Sequence, residues 1–274
     1  MSTRPVRSIL CVAALALATA ACGSSTAGSG GSTSAGASSG SSLRVLAASS
    51  LKEAFPKIAA AFATQNGGAK VTFEFLGSDE LATQIDEGAA ADVFAAASPK
   101  YPDKLHAESK LDAPVPFATN TLVLAVPAGS TRVADLAAVA GPGVRLVIGA
   151  AAVPVGAYTR TVLAALDATE GAGWSATVLK NVVSEEPSVK SIVAKLDTGD
   201  ADAGFVYATD VRADAAHLTA IAIPAAAKPT ATYPIAVVSA SKQRDLARRF
   251  CDFVLSAAGQ QILVAAGFGA KPAS

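Results

Sequence analysis

The sequence predicts an α/β fold with a largely parallel sheet, on three observations. From residue 43 onward, short apolar runs of strand length alternate with segments of helical periodicity, the pattern of strands covered by helices. Several strand-to-helix junctions carry Ser or Gly at the helix start, where such residues satisfy the first free N–H groups. The chain is 51% apolar and 16% charged over 274 residues, which is enough to bury a substantial core.

The elements follow in order. A strand is read over 43–47, then Ser49-Ser50, then a helix over 51–64 in which Pro56 should kink the chain or confine it to an irregular first turn. A strand over 70–75 leads through Gly77-Ser78 into a helix over 80–87, whose start carries Asp79 and Glu80 where the helix dipole favours acids. A strand over 93–95 follows. The runs 122–126 and 146–148 are bounded by Gly, Pro or charge and read as strands. Val153-Pro154-Val155-Gly156 opens a helix over 156–166, and a strand is read over 176–178. Ser188 opens a helix over 189–198, which is followed by strands over 203–206 and 235–238 and a helix over 243–256. There is no internal repeat.

Lys+Arg and Asp+Glu are both 22, so no basic excess points to nucleic acid. The N-terminus carries Arg4 and Arg7, an apolar stretch over 9–21, and Ala20-Ala21 before Cys22, an export signal. As a helix that stretch spans about 20 Å, short of the ~30 Å core of a bilayer. The run Thr19-Ala20-Ala21-Cys22-Gly23 resembles a bacterial lipobox, with Thr19 where Leu is usual. The resemblance implies cleavage before Cys22 and its acylation, which would hold the protein at a membrane surface. Residues 23–42, almost entirely Gly, Ser, Ala and Thr, form a flexible tether. Cleavage removes two cations and no acid, leaving a slightly negative chain, so an anion would have to be bound by local geometry rather than by a positive surface field.

Cys251 would then be the single thiol, read as a small buried hydrophobe. His106 and His217 lack the spacing of metal ligands. Four helix starts follow strands, and in an open α/β sheet ligands bind beyond the strand carboxyl ends, where helix N–H groups converge. Taken singly, each Ser reads as an ordinary helix cap.

Together these segments resemble the molybdate-binding proteins of ABC transporters, in the type II periplasmic binding-protein group. The carriers are Ala47-Ala48-Ser49-Ser50-Leu51, Gly77-Ser78 with Leu81-Ala82 and Gln84-Ile85, Ala91-Asp92-Val93-Phe94, and Val153-Pro154-Val155-Gly156-Ala157-Tyr158. Further on come Ser188-Val189, Gly204-Phe205-Val206-Tyr207 with Asp210, the run Tyr233 to Val238, and Gly267-Phe268. The resemblance implies two α/β lobes, each a mixed, mostly parallel sheet flanked by helices, with the ligand in the cleft between them. Residues 1–21 would be the signal, 22–42 the acylated Cys and tether, 43–121 with 234–274 the first lobe, and 122–233 the second. The crossings are expected near residues 120–123 and 233–235.

It also implies an oxyanion held by the hydroxyls of Ser50, Ser78 and Tyr207 and the backbone N–H groups of Val155 and Val189. No cofactor and no direct bond from protein to metal are implied; molybdenum would enter only as the bound anion. Neutral donors in a dry pocket suffice for a tetrahedral dianion, and donors alone reject an anion that carries its own O–H. Asp79 is the departure: it either points outward to its own helix start or enters the pocket and contributes to selectivity. Tyr158 and Tyr233 read as packing or hinge residues, Trp174 as a surface anchor, and Tyr101 has no assigned role.

The expected protein is a monomer and not an enzyme: a lipoprotein on the outer face of the cell membrane that takes molybdate or tungstate to a permease. The alternative is a sulfate or other oxyanion carrier. Dispersed tyrosines argue against a ferric-ion carrier. A lipid-anchored hydrolase would want a G-x-S-x-G elbow between a strand and a helix, and none of the strand-to-helix junctions read here carries one; a scaffold module would bind no small ligand.

Overall fold

The computed structural model describes residues 42–272; the export signal, Cys22 and nearly all of the tether lie outside them. The first strand, β1 (Ser42–Ala48), is buried on both faces towards its carboxyl end, as expected of a strand with helices on either side. It runs into a 3-10 turn, Ser49–Leu51, and only then into α1 (Phe55–Gln65). The sequence reading started this helix at 51. The structure puts Pro56 in its first turn, where the missing N–H would have had no partner in any case.

Next come β2 (Lys70–Leu76), α2 (Ser78–Asp86), β3 (Val93–Ala95) and α3 (Lys100–Ala107). The strand read over 122–126 is the second half of a longer one, β4 (Val115–Pro127). After β5 (Leu146–Gly149) and α4 (Pro154–Glu170), the strand expected over 176–178 is instead part of a helix, α5 (Trp174–Lys180). β6 (Val182–Glu186), α6 (Val189–Asp197), β7 (Ala203–Tyr207), α7 (Ala208–Ala213) and β8 (Leu218–Ile221) follow. The chain ends in β9 (Thr230–Val237), α8 (Arg244–Leu255) and α9 (Ala257–Ala265).

The strands form one mixed sheet in the order β2-β1-β3-β9-β4-β7-β5-β6, with β8 also on β4. β2, β1 and β3 are mutually parallel, as are β7, β5 and β6, whereas β9 and β4 run antiparallel to their neighbours. β4 changes partner along its length: residues up to Thr121 pair with β9, and Leu122 onward pairs with β7. One strand therefore belongs to both halves of the sheet.

Helices cover both faces. In the first half, Leu81, Ile85 and Leu105 of α2 and α3 pack on Leu46, Phe94 and Val238. On the opposite face Phe55 and Phe62 of α1 meet Phe250 of α8 edge to face, with ring centroids 6.2 and 5.3 Å apart, a favourable aromatic geometry. In the second half Leu163 and Leu166 of α4 and Ile192 and Leu196 of α6 are buried in the same cluster as β5 and β7. No described helix is long and apolar enough to cross a membrane.

Candidate ligand-binding site

β1, β2, β5 and β7 each deliver the chain, at their carboxyl ends, to a helical turn. Ser50 sits in the turn after β1, Ser78 is the first residue of α2 after β2, Val155 lies in the first turn of α4 after β5, and Tyr207 ends β7. Val189 is the first residue of α6, which follows β6. All five line one small cavity, together with Ala97 and Pro154, and neither Lys, Arg, Asp nor Glu lines it. Ser50, Ser78 and Tyr207 are buried, at 4%, 1% and 1% exposure.

The serines do not cap their helices. The N-cap of α2 is Gly77 and that of the first 3-10 turn is Ala48, and neither has a side-chain cap bond. The Ser78 hydroxyl instead accepts the N–H of Ala97 at 3.0 Å. A backbone N–H can only donate, so the Ser78 proton is free for another acceptor. Ser50 Oγ lies 2.9 Å from the hydroxyl of Tyr233. The cap of α6 is Ser188, whose side chain accepts the N–H of Ser191 at 3.2 Å. The N–H groups of Val155 and Val189, in the first turns of their helices, have no partner within the helix and carry the positive end of its dipole.

Tyr207 carries the clearest sign of a missing partner. Its hydroxyl is fully buried and has no hydrogen-bond partner, a state that costs about 1–3 kcal/mol. Burial also pushes its pKa well above the ordinary tyrosine value, with Tyr233 adding to the effect, so it is a neutral donor. Its backbone N–H donates to Asp210 Oδ2 at 3.2 Å, which fixes the β7–α7 junction. Asp210 is itself buried, and Lys190 Nζ lies 3.4 Å from its other oxygen.

Two glycines permit the close approaches. A side chain at Gly156 would meet the carbonyls of Gly149 and Ala150, so the V-P-x-G turn needs Gly to bring the start of α4 against the end of β5. At Gly77 a Cβ would strike the Pro187 carbonyl, which belongs to the loop before α6. Asp79 lies outside the cavity lining. Its Oδ1 falls 2.6 Å from where a Cβ on Gly77 would be, and is buried without a hydrogen-bond partner.

A family model described as bacterial extracellular solute-binding protein matches residues 43–269. The chain belongs to that family. Among solute-binding proteins similar to it is the molybdate-binding protein ModA of Mycobacterium tuberculosis, 41% identical over 233 residues, which cover 84% of this chain and 85% of the relative. The periplasmic molybdate-binding protein of Azotobacter vinelandii superimposes with a TM-score of 0.73 at 24% identity, covering 84% of this chain and all of that one. The sulfate-binding protein SubI of M. tuberculosis has the same fold, with a TM-score of 0.73, 18% identity and coverage of 83% and 86%. The chain thus shares with these periplasmic binding proteins the fold of a mixed α/β sheet flanked by helices.

Sequence reasoning missed two contributors to the site. Ala97 enters through its backbone alone, which no side-chain pattern reveals. Tyr233, read as packing or hinge, does pack edge to face on Phe117 and Phe268, but its hydroxyl also reaches Ser50. Tyr101, left unassigned, donates from α3 to the carbonyl of Ala152 at 2.6 Å. Cys251 is half-buried, and burial pushes its thiol up to about 12, which makes it a poor nucleophile.

Proposed function

We propose that this solute-binding protein captures molybdate, or tungstate, outside the cell membrane and delivers it to an ABC permease. The observation that carries the reading is the cavity itself: two serine hydroxyls, two free helix-start N–H groups and an unpartnered tyrosine hydroxyl converge on one small space without a cation. A tetrahedral dianion supplies acceptors to every one of these donors, and the helix dipoles offset its charge. The names of the relatives agree with molybdate. Sulfate is the second reading, favoured by the shared fold of the sulfate-binding neighbour and by its identical demand for donors only.

In this reading residues 43–121 with 234–274 form one lobe and 122–233 the other, with closure bringing Ser50 and Ser78 towards Val155, Val189 and Tyr207. Acylation of Cys22 and the tether would keep a monomeric carrier within reach of its permease. The role needs no nucleophile or proton transfer.

The test is a melting-temperature series of the protein with molybdate, tungstate, sulfate and phosphate. A ligand at 100 times its Kd stabilises by about 2.7 kcal/mol. Molybdate and tungstate are expected to raise Tm most and phosphate not at all. A larger shift with sulfate would move the assignment to that anion, and no shift with any of them would overturn the oxyanion reading.

A further inference from the structure

The ligand cavity is lined by no cation, and the chain as a whole is close to neutral, so no long-range field of the molecule draws an anion to it. A second cavity shares a wall with the first. Ser50 lines both; Lys190 of the second follows Val189 of the first, and Thr209 lies two residues beyond Tyr207. The turn after β1 and the starts of α6 and α7 therefore present neutral donors to one cavity and line the other.

The second cavity has the opposite chemistry. Its volume is about 200 Å³, room for an anion together with several of its waters. Lys57 of α1, Lys190 of α6 and Arg212 of α7 line it, against the single acid Glu53. Lys190 is largely offset, with Glu53 at 3.8 Å and the buried Asp210 at 3.4 Å. Lys57 and Arg212 are exposed and form no ion pair among the described residues. The stem of Arg212 lies against Gly267, where a Cβ would meet its Cδ at 2.7 Å, so the chain is shaped to let this side chain lie along the cavity.

We propose that this second cavity is the approach chamber of the ligand site, in which Lys57 and Arg212 concentrate an incoming oxyanion beside the wall formed by Ser50. The inference rests on the oxyanion reading of the site. Cations of one sign around a cavity focus the field and raise the local concentration of counter-ions, which speeds encounter. A dianion feels that field twice as strongly as a monoanion. Placed inside the ligand cavity, the same charges would hold any anion of sufficient charge; placed beside it, they act on arrival and leave selection to the fixed neutral donors.

The experiment measures molybdate association and dissociation rates on the full chain by stopped flow, at ionic strengths from about 10 mM to about 1 M. The variants are Lys57→Gln, Arg212→Gln, their double variant, Glu53→Gln and, as control, Lys70→Gln. Lys70 is exposed and begins β2, whose other end, Leu76, lines the ligand cavity; that places it about 20 Å away along the strand. Melting curves without ligand show that each variant is folded. At the lowest ionic strength each lost cation is expected to slow association about two- to fivefold, and the double variant further. Glu53→Gln should speed it by a similar factor, and Lys70→Gln should leave it unchanged. These differences should vanish near 1 M, where the screening length is about 3 Å. Dissociation should be unaffected in the cation variants. Association rates that ignore Lys57 and Arg212, an equal fall in Lys70→Gln, or a change confined to dissociation would overturn the chamber while leaving the oxyanion site standing. Failure of the wild type to bind molybdate, tungstate or sulfate would overturn the site reading itself, and the inference with it.

Discussion

Tyr207 shows how a single side chain can carry stability and binding in opposite directions. Its hydroxyl is buried and meets no hydrogen-bond partner among the described residues, so removing it should relieve a desolvation cost and remove the proposed ligand donor in the same step. Tyr207→Phe is expected to raise the Tm of the ligand-free protein, by an amount corresponding to about 1 kcal/mol, and to weaken molybdate binding about tenfold. Calorimetry with and without ligand checks both signs; a variant that loses stability and keeps its affinity would contradict the assignment of this hydroxyl to the ligand. Asp79 is the contrasting case. It neighbours Ser78 in sequence, yet it stays outside the cavity lining with its carboxylate against Gly77, because the first turn of a helix points successive side chains in different directions.

The junctions between strands and helices decide which parts of the site were legible. Ser50, Ser78, Val155, Val189 and Tyr207 could be named only through the family resemblance; local residue types mark where a strand ends and a helical turn begins, but not which of those places meet. The Ser50–Tyr233 contact could not be named at all, since it joins residues 183 apart in the chain. Elements with little inward surface were misread for a related reason: α5 buries only Val178, so Ala176-Thr177-Val178 looked like a strand. α3, with Pro102 in its first turn, and the short α7 gave no clear helical period. Two predictions belong to this scale. Gly77→Ala places a methyl group against the Pro187 carbonyl, so it is expected to diminish the ligand-induced rise in Tm while leaving the ligand-free protein folded, as paired melting curves would show. The second concerns the β7–α7 junction. Burial raises the Asp210 pKa from 3.8 to about 6 against the opposing pull of Lys190. Between these values the native protein holds a proton that the unfolded chain has released, so stability falls as pH rises from about 4 to 6. Asp210→Asn keeps an acceptor for the Tyr207 N–H and cannot ionise; its denaturation curves should lose that slope, and persistence of the slope would assign it to another group.

At the largest scale, β4 and β9 connect the two halves of the sheet, and three contacts join those halves beside the cavity. Gly77 lies against the Pro187 carbonyl, Lys190 of α6 reaches Glu53 at 3.8 Å, and the Tyr101 hydroxyl donates to Ala152 at 2.6 Å. The ion pair is long and its Glu53 partner is half exposed, so screening leaves it little net energy. The Tyr101 bond is short, joins α3 to the turn that opens α4, and touches no ligand donor directly. In the proposed two-lobe reading it would break on opening, so it should slow release without affecting the encounter of an open cleft with its anion. Tyr101→Phe is therefore expected to raise the molybdate dissociation rate by about two- to tenfold, the range for losing one neutral hydrogen bond, and to leave the association rate unchanged. Stopped-flow measurement of both rates separates the outcomes. A slower association with unchanged dissociation would mean that Tyr101 shapes the open form instead. In the proposed carrier role, this one bond at the edge of the cavity would set the release rate independently of the donors that would set selectivity.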